Sequence, residues 1–429
     1  MTGTTLLTGA RLVLPDRVVE DGWLTVADGL ITELGTGPAP GVGTDLTGRW
    51  VVPGFVDIHV HGGGGATYTT GDVEQVRQAA EFHRGHGTTT TMASLVTGDL
   101  AELHRTVTNL AELVEDGLLA GIHLEGPYLS HARCGAHQPD LLRHPDPAEI
   151  AGLLKAGGGT VRMVTLAPEL PGALDSVRLL AEHGVIAAVG HTDADFQQVT
   201  AAIDAGARVA THLFNAMRPL HHREPGPIAA LLGDDRVTVE LIHDGVHLHP
   251  AMVELACTAA GHDRVALVTD AMSAAGMADG GYRLGQLAVQ VSDGVARLAD
   301  GPGAGSIAGS TLTMAEAFAR TARLGSLELH QVARAASLTP ARLLGLDDRI
   351  GSLTVGKRAD LVVLDAEFAV VAVAKDGHWV SEGVGVPRSG VEGSGAAVSG
   401  VVVGSTMRRR CTASPSSSVV DPTAPDPST

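Results

Sequence analysis

Cysteine is scarce in this sequence and never occurs in close pairs. The three cysteines, Cys134, Cys257 and Cys411, lie far apart, so no Cys-x-x-Cys motif is present. This spacing excludes a disulfide framework and a zinc ribbon. The sequence also has no apolar run long enough to span a bilayer, and its first residues lack the charged and apolar segments of a secretory signal. We therefore expect a cytoplasmic protein.

Basic residues are also in short supply. The 30 Lys and Arg residues are outnumbered by 48 Asp and Glu residues, which gives a formal net charge of −18. This balance argues against nucleic acid or a membrane as a main partner. It leaves a phosphorylated small molecule open, because one arginine at close range can outweigh the global charge. At 429 residues, the chain is long enough for one large domain and one small accessory domain.

Apolar, strand-like stretches dominate the middle of the chain, and each ends at a polar residue. Helix-like segments rich in Ala, Leu and Glu follow most of them. This alternation predicts βα units, and eight units predict an α/β fold with a closed (β/α)8 TIM-like barrel. In such a barrel the catalytic groups lie at the carboxyl ends of the strands. The predicted strands are 55–61, 88–94, 121–125, 161–167, 185–191, 208–215, 237–243 and 265–270.

The two ends of the chain have a different texture, with short apolar segments broken by Gly, Asp and Pro. Residues 1–52 and 346–381 predict a small β-sandwich domain, with the barrel over 53–345 inserted between them. A Gly- and Ala-rich stretch over 273–309 contains alternating segments and predicts a β excursion or lid. Gly, Ser, Val and Pro dominate residues 382–429, which predicts a disordered tail.

Four histidines at strand ends suggest a metal centre. His59 and His61 are two residues apart in one strand, so both side chains point toward the barrel axis and can bind an ion as neutral imidazoles. The alternative is a pair of buried structural histidines, which is costly without partners. His191 and His212 end the fifth and sixth strands. Either one alone would more often be structural, but the pair at matching strand ends favours a metal site.

Two carboxylates complete the predicted set. Glu125 ends the third strand, where an ionised group needs a cation or a salt bridge to an arginine. Because imidazoles are expected nearby, a divalent ion is a better partner for Glu125 than an arginine. Asp270 ends the eighth strand and could accept a proton from an activated water, or alternatively cap the next segment. The fourth strand contains no lysine that could be carbamylated, so Glu125 is the obvious substitute as a bridging group.

Loops that follow the strands offer groups for a substrate. His137 follows the third strand, Arg223 the sixth and His247 the seventh. The segment 306–310 precedes a predicted helix and could bind an anion through its backbone N–H groups. Taken singly, each of these loops could equally be a simple turn.

From about Leu6 to Val373 the sequence resembles the N-acetylglucosamine-6-phosphate deacetylases of the amidohydrolase superfamily. The resemblance implies a hydrolase that removes acetate from N-acetyl-D-glucosamine 6-phosphate, in amino-sugar catabolism or recycling. The stretches HLEGP, THLFNAM and DGVH are typical of this family rather than of the whole superfamily. The motifs that carry the resemblance are PGFVDIHVHGGGG, HLEGP, GAH, GHTDA, THLFNAM, REPG, DGVHLHP, VTDAM and IAGSTLTM.

The resemblance also implies roles for individual residues. Glu125, His191 and His212 match the metal ligands of the family, and Asp270 matches its catalytic acid and base. The positions that match its substrate-binding residues are Ala136, His137, Asn215, Ala216, Arg223, His247, Ile307, Ala308 and Gly309.

The same resemblance implies which residues bind the phosphate of the substrate and whether a second metal ion is present. Arg223 and His247 are expected at the phosphate, with some loops shared across the interface of a homodimer or higher homo-oligomer. Some members have lost the His-x-His pair and use one metal, but this sequence keeps His59 and His61. One or two divalent ions per subunit are therefore expected. Imidazole and carboxylate ligands suit Zn²⁺, our first choice, and also Fe²⁺, Co²⁺ or Mn²⁺.

The expected mechanism uses Asp270 and His137. Asp270 takes the proton of the attacking water and later protonates the departing amine, while His137 and the metal stabilise the oxyanion. A cyclic-amide hydrolase is disfavoured by the missing lysine, and a nucleobase deaminase by the loops of Arg223 and His247. A relative that serves only as a scaffold is disfavoured because no ligand and no catalytic group is missing.

Overall fold

The computed structural model describes residues 4–301 and 303–380 of the chain. Each of the eight predicted barrel positions contains a parallel strand, which confirms the (β/α)8 fold class. The second strand is interrupted at Met92 and has two parts. The tail predicted over 382–429 lies outside the described residues. The barrel strands are Phe55–Asp57, Thr88–Thr91 with Ala93–Leu95, Ile122–Glu125, Val161–Leu166, Ile186–Val189, Val209–Ala210, Thr238–Leu241 and Val265–Leu267.

Backbone hydrogen bonds close the barrel next to the predicted site. The first strand pairs with the second, and the remaining strands form one parallel sheet that pairs in chain order up to the eighth. Between the eighth and first strands, the Asp270 N–H donates to the His59 carbonyl at 2.8 Å. The His61 N–H donates to the Ala271 carbonyl, also at 2.8 Å. Closure of the barrel therefore brings Asp270 and the His-x-His pair together.

The strands end earlier than predicted, and the reason lies in the backbone. The sixth strand was predicted over 208–215 but spans only Val209–Ala210. His191, His212 and Asp270 all adopt positive φ angles, of 47°, 28° and 49°. Residues in this left-handed region cannot continue an extended ladder. Each strand therefore stops at or before the residue that carries its functional side chain.

The helices surround the barrel, and several begin at an aspartate. Asp72, Asp99, Asp146 and Asp195 each accept a hydrogen bond from a backbone N–H of the helix that follows them. Such caps satisfy N–H groups that have no partner within the helix. The α-helices are Val73–Gly85, Leu100–Glu115, Pro147–Gly157, Ala173–Glu182, Phe196–Ala205, Gly226–Gly233, Pro250–Ala260, Met314–Leu324, Leu329–Ala333 and Thr339–Leu343. Single turns of other helix types span His131–Arg133, Pro139–Leu141 and Arg334–Leu338.

Both ends of the described chain join one eight-stranded sheet with its own apolar core. The strand Trp50–Pro53 lies at the junction, because it pairs parallel with Thr5–Val13 and antiparallel with Leu361–Leu364. The prediction of a small β-sandwich from both termini is confirmed as a β-rich domain that both termini build, while the exact domain boundaries stay a prediction. The strands are Thr5–Val13, Val18–Ala27, Leu30–Thr36, Thr44–Asp45, Trp50–Pro53, Leu361–Leu364, Val370–Lys375 and His378–Trp379.

Two smaller β elements lie near the carboxyl ends of the barrel strands. The predicted excursion is an antiparallel sheet of Gly280–Leu284, Leu287–Ser292 and Val295–Leu298. A short hairpin of Gly62–Gly63 and Ala66–Thr67 follows the His-x-His pair. Among the described residues, no helix combines the length and apolar character needed to cross a membrane.

Candidate metal centre and active site

Six buried side chains meet at the carboxyl ends of the barrel strands. They form two groups of three, and within each group the possible ligand atoms lie within 4.8 Å of one another. One group is His59, His61 and Asp270, and the other is Glu125, His191 and His212.

Glu125 belongs to the second group and also faces the first. Its Oε1 is 2.9 Å from His212 Nε2 and 3.1 Å from His191 Nε2. Its Oε2 is 3.2 Å from His61 Nε2, and Oε1 is also 3.5 Å from His59 Nε2. One carboxylate therefore faces all four imidazoles that the sequence singled out, and it would be able to help hold an ion in either group.

Hydrogen bonds at Nδ1 orient three of these imidazoles. His61 Nδ1 lies 3.0 Å from the Ser94 carbonyl, and His191 Nδ1 lies 3.0 Å from the Arg133 carbonyl. A carbonyl oxygen only accepts, so these Nδ1 atoms carry the proton and donate. His59 Nδ1 is 2.9 Å from a carboxylate oxygen of Glu240. In each neutral ring, the lone pair of Nε2 therefore faces the centre, as metal binding requires.

The atoms that face the centre fit a divalent ion. Among the described residues, His59 Nε2 is fully buried and has no hydrogen-bond partner. His191 Nε2 and His212 Nε2 lie only 3.1 Å apart. A buried lone pair without a partner is unfavourable, whereas imidazole nitrogens beside carboxylate oxygens are ligands that Zn²⁺, Fe²⁺, Co²⁺ and Mn²⁺ accept.

The electrostatics of the cluster favour a cation. Burial opposes charge on His59 and His61, but the neighbouring carboxylates raise the pKa of His59 well above its ordinary value and that of His61 to about 9. Burial likewise opposes charge on Glu125 and Asp270, yet the charge of His59 lowers the pKa of both carboxyls well below the usual range. The carboxylates therefore remain ionised and attract either protons on the imidazoles or a metal cation.

Asp270 is held rigidly beside His61. Its Oδ1 lies 3.1 Å from His61 Nε2, and its carbonyl accepts a hydrogen bond of 2.7 Å from the Ser310 N–H. Gly309, at a φ of 63°, allows this approach, because a Cβ there would lie 2.9 Å from the Asp270 carbonyl oxygen. Asp270 itself adopts a positive φ of 49°. Such a φ at a non-glycine residue costs roughly 1–3 kcal/mol and is typical of functional sites.

His137 is a neutral hydrogen-bond donor to the same centre. Its Nδ1 accepts from the Thr97 backbone N–H at 3.3 Å, so the proton of the neutral ring lies on Nε2. Burial, together with the neighbouring His191, lowers the pKa of His137 to about 4. Its Nε2 lies 3.5 Å from Glu125 Oε2. The ring can therefore donate to an oxygen atom that binds next to Glu125.

A cavity of about 500 Å³ opens above the centre. Its floor contains Asp270 and every proposed ligand except His59, which is completely buried. Most of the predicted substrate-binding residues line its walls. These residues are Ala136, His137, Asn215, Ala216, His247, Ile307 and Gly309.

Two predicted substrate-binding residues do not line this cavity. Ala308 is buried in the apolar cluster beneath the three-stranded sheet. Arg223 is exposed, and its Nη1 lies 2.8 Å from His222 Nε2. Another arginine, Arg133, does line the cavity, but it is paired with Asp193 at 2.9 Å. The cavity wall of one chain therefore contains no arginine without a carboxylate partner among the residues that the structure describes.

His247, the remaining residue predicted at the phosphate, lies in the cavity wall and is supported by Asp244. The imidazole Nδ1 is 2.7 Å from Asp244 Oδ2. Burial opposes the charge of Asp244, but the bonds from His247 lower the pKa of that carboxyl. Nδ1 therefore donates to the carboxylate.

Three polar residues around the centre were not predicted from the sequence. Glu240 is fully buried in the seventh strand and contacts both groups of ligands. His123 lies edge-on to His59, with 4.7 Å between ring centroids, and is bonded to Ser94 and Thr165. Asp57 accepts a 2.6 Å hydrogen bond from the Thr269 hydroxyl.

A signal for these residues is present in the sequence. Glu240, His123 and Asp57 are polar residues within apolar runs that form strands. A buried charge or imidazole needs a partner, so such residues mark a polar interior. Their partners come from other strands, and only the folded chain identifies them.

Comparison with known proteins is consistent with this geometry. The model of the Amidohydrolase family matches residues 50–380. The N-acetylgalactosamine-6-phosphate deacetylase of Escherichia coli O157:H7 is 38% identical over 383 residues, covering 88% of this chain and 100% of that protein. The N-acetylglucosamine-6-phosphate deacetylase of Bacillus subtilis (strain 168) is 35% identical over 395 residues, covering 86% and 96%.

A solved structure extends the similarity to three dimensions. It is that of a mutant N-acetyl-D-glucosamine-6-phosphate deacetylase from Mycobacterium smegmatis in complex with N-acetyl-D-glucosamine-6-phosphate. That protein is 49% identical to this chain, with a TM-score of 0.85, and the match covers 88% of this chain and 99% of that chain.

Proposed function

This chain belongs to the amidohydrolase family, and we propose that it hydrolyses N-acetyl-D-glucosamine 6-phosphate to D-glucosamine 6-phosphate and acetate. The observation that carries the proposal is the meeting of Asp270, His137 and the Glu125-centred histidines at the floor of one cavity. The 49% identical relative, solved with this sugar phosphate, supports the substrate. The reaction belongs to amino-sugar metabolism.

We propose that Glu125, His191 and His212 hold one divalent ion, and that His59 and His61 hold a second beside Asp270. Zn²⁺ is the first choice, and Fe²⁺, Co²⁺ and Mn²⁺ suit the same ligands. A divalent ion supplies a Lewis acid that polarises an amide carbonyl and lowers the pKa of a water molecule. The buried lone pair of His59 Nε2 supports a cation at this position.

Asp270 acts as the general base and then as the general acid. Positive charge beside Asp270, carried by a proton on His59 or by an ion that His59 holds, outweighs burial and keeps the pKa of Asp270 below its usual range, so the group is a carboxylate at neutral pH. It accepts a proton from the attacking water and delivers that proton to the amine as the C–N bond breaks. Its position in the cavity lining supports this role, with the acetamide bound beside it.

His137 stabilises the oxygen that becomes negative during attack. Its Nε2–H is a neutral donor at the cavity floor, and its Nδ1 is fixed by Thr97. Donors that are oriented before the reaction stabilise developing charge most effectively. A neutral ring also avoids transferring its own proton to Asp270.

The phosphate binds to His247 and Arg223. His247 lies in the cavity wall, whereas Arg223 is exposed on the same chain. We propose that Arg223 serves the site of a second subunit, in a homodimer whose loops complete each other's cavities. A cytoplasmic location is part of the same proposal.

Comparison of two sugars tests the substrate directly. We expect N-acetylglucosamine without phosphate to react at least about 100-fold more slowly in kcat/KM, because the groups at the phosphate end would be left unpaired. The measurement is acetate release at matched concentrations of both sugars. Similar rates would rule out recognition of the phosphate.

N-acetylgalactosamine 6-phosphate is the second candidate substrate. The Escherichia coli O157:H7 relative carries this sugar in its name and is matched along its whole length. The two substrates differ only in the orientation of one hydroxyl group. We expect the higher kcat/KM for the glucosamine derivative, and the reverse order in a parallel assay would transfer the proposal to its epimer.

A further inference from the structure

Glu240 is a buried carboxylate that the mechanism above does not use. It lies in the strand Thr238–Leu241 and has no solvent exposure. Its Oε2 accepts two hydrogen bonds, one from His59 Nδ1 at 2.9 Å and one from the His212 backbone N–H at 3.0 Å. Its Oε1 is buried and has no partner among the described residues.

These two bonds reach different groups of proposed ligands. His59 belongs to the group with Asp270, and His212 belongs to the group with Glu125. The rings of His59 and His212 lie 5.4 Å apart between centroids. We propose that Glu240 is a positioning residue that links the two ion sites, so that the ion affinity of both depends on it. The inference rests on the proposed metal centre.

The support given to His212 differs from that of the other three imidazoles. In His59, His61 and His191, Nδ1 donates a hydrogen bond to a carboxylate or carbonyl oxygen. His212 Nδ1 is buried and has no partner among the described residues. The bond from its backbone N–H to Glu240 therefore takes the place of a bond at the ring.

That backbone bond also holds an unfavourable conformation. His212 has a φ of 28°, in a region that side-chain-bearing residues seldom adopt. Without an acceptor on Glu240, the N–H would be buried and unpaired, and the backbone could relax toward an ordinary φ. The His212 ring would then turn away from Glu125.

The hydrogen bond to Glu240 affects the electron density of the His59 ring as well as its orientation. A carboxylate that accepts from Nδ1 of a ligating histidine fixes the tautomer and makes Nε2 more basic. Loss of such a partner commonly lowers metal affinity by about 10- to 100-fold. Because the same oxygen serves His59 and His212, one substitution should affect both sites together.

Two variants separate charge from geometry. Glu240→Gln keeps a carbonyl oxygen that can accept both bonds but removes the charge. Glu240→Leu removes the acceptor altogether. With Zn²⁺ as the only added metal, we expect wild type to bind two ions per chain. We expect both affinities to fall about 10-fold in Glu240→Gln and by up to about 100-fold in Glu240→Leu.

The readout is Zn²⁺ content after dialysis, followed by stepwise competition with a chromogenic chelator. A second readout is kinetic. Glu240 does not line the cavity, so kcat at limiting Zn²⁺ should fall while KM stays near that of wild type. Recovery of kcat as Zn²⁺ is raised, in the graded order of the two variants, is the result that a merely structural role would not produce.

Asp360→Asn is the matched control. Asp360 is also a buried carboxylate, 5% exposed, and it accepts a 2.7 Å hydrogen bond from the Asp376 N–H in the terminal sheet. This variant should bind both ions as wild type does. Thermal unfolding of all variants establishes that each is folded, and Glu240→Gln alone decides the question if Glu240→Leu does not fold.

Three results would overturn the inference. They are wild-type affinity in Glu240→Gln, a change at one ion site only, and a wild-type protein that binds a single ion. Failure of the proposed function gives a different result, because a wild-type protein that binds no ion and releases no acetate contradicts the metal centre itself.

Discussion

The residues at the centre differ in protonation state. Glu125 and Asp270 are kept ionised by the imidazoles around them, whereas His137 is kept neutral by burial and by its neighbour His191. A base and a neutral donor thus face one cavity. Their roles follow from environment, because neither an aspartate nor a histidine alone has a fixed role in catalysis.

A buried histidine behind the His-x-His pair predicts an acid-sensitive fold. His83 is fully buried, and its Nε2 lies 2.9 Å from the Gly62 carbonyl. Burial and the neighbouring His86 lower the pKa of His83 from 6.5 to about 4. The unfolded chain therefore binds the proton first as the pH falls. The free energy of unfolding should have its full value above about pH 6.5 and fall by roughly 3 kcal/mol toward pH 4.

Replacement of His83 tests this pH dependence. The variant His83→Gln retains a donor for the Gly62 carbonyl but does not titrate, so its free energy of unfolding should vary less between pH 6.5 and 4. Denaturant unfolding at several pH values measures the difference. The half-buried His262, whose side chain is 44% exposed, serves as the control, and His262→Gln should keep the wild-type slope. If the free energy of unfolding varies with pH in the same way in wild type and His83→Gln, His83 is not the source of the acid sensitivity.

At the residue scale, the sequence predicted the groups that end strands. His191, His212 and Asp270 could be found because a polar residue at the end of an apolar run stands out. Glu240 could not be assigned, because its partners follow the first and sixth strands and their proximity depends on barrel closure. The exposed position of Arg223 also required the folded chain.

At the scale of elements, the left-handed turns after the strands determine where the side chains point. Gly309 forms another left-handed turn, which packs against the residues after the eighth strand, and an added Cβ would press on the Asp270 carbonyl oxygen. Gly325 ends a helix with a similar φ of 76°, but nothing lies within 4 Å of the position of its Cβ. The two glycines therefore share backbone strain and differ in contact with the active site.

Alanine at each glycine separates these effects. Gly325→Ala should lose roughly 1 kcal/mol of stability, because alanine disfavours a positive φ. Gly309→Ala should lose more, because its Cβ would also press on the Asp270 carbonyl oxygen. Only Gly309→Ala should also lower kcat, since it displaces Asp270. Thermal unfolding and steady-state kinetics measure the two effects. Equal kcat in both variants would show that the Gly309 turn does not position Asp270.

Element positions were easier to predict than element lengths. The alternation of apolar and helical stretches located all eight strands, but several predicted strands ran past the turn that ends them. The sixth is the clearest case, because THLFN continues the apolar pattern while His212 and Phe214 take positive φ angles. Polarity patterns report burial, and they contain no information on such backbone turns.

At the scale of the whole molecule, the position of Arg223 predicts that active sites are shared between subunits. If Arg223 serves the neighbouring site, a mixed dimer of Arg223→Ala and Asp270→Asn subunits contains one site with both native residues. Subunits that pair at random should then recover about a quarter of the wild-type sites. The measurement is acetate release after the two variants are unfolded together and refolded as a mixture.

Three controls accompany this experiment. Each variant refolded alone should have low activity at limiting substrate, and wild type refolded alone sets the full signal. A mixture no more active than the average of its two parents would mean that Arg223 acts within its own chain, or not at all. The oligomeric state, measured by light scattering, establishes that mixed dimers can form.

The central claim is that this chain is a metal-dependent deacetylase, and one measurement tests it most directly. Acetate release from N-acetyl-D-glucosamine 6-phosphate is followed in purified protein, after chelation, and after Zn²⁺ is returned. The account predicts turnover that disappears with the chelator and recovers with the ion, because the imidazoles around Glu125 would again hold a cation. Folded protein that shows no turnover with Zn²⁺, Fe²⁺, Co²⁺ or Mn²⁺, or full turnover without any metal, would contradict it.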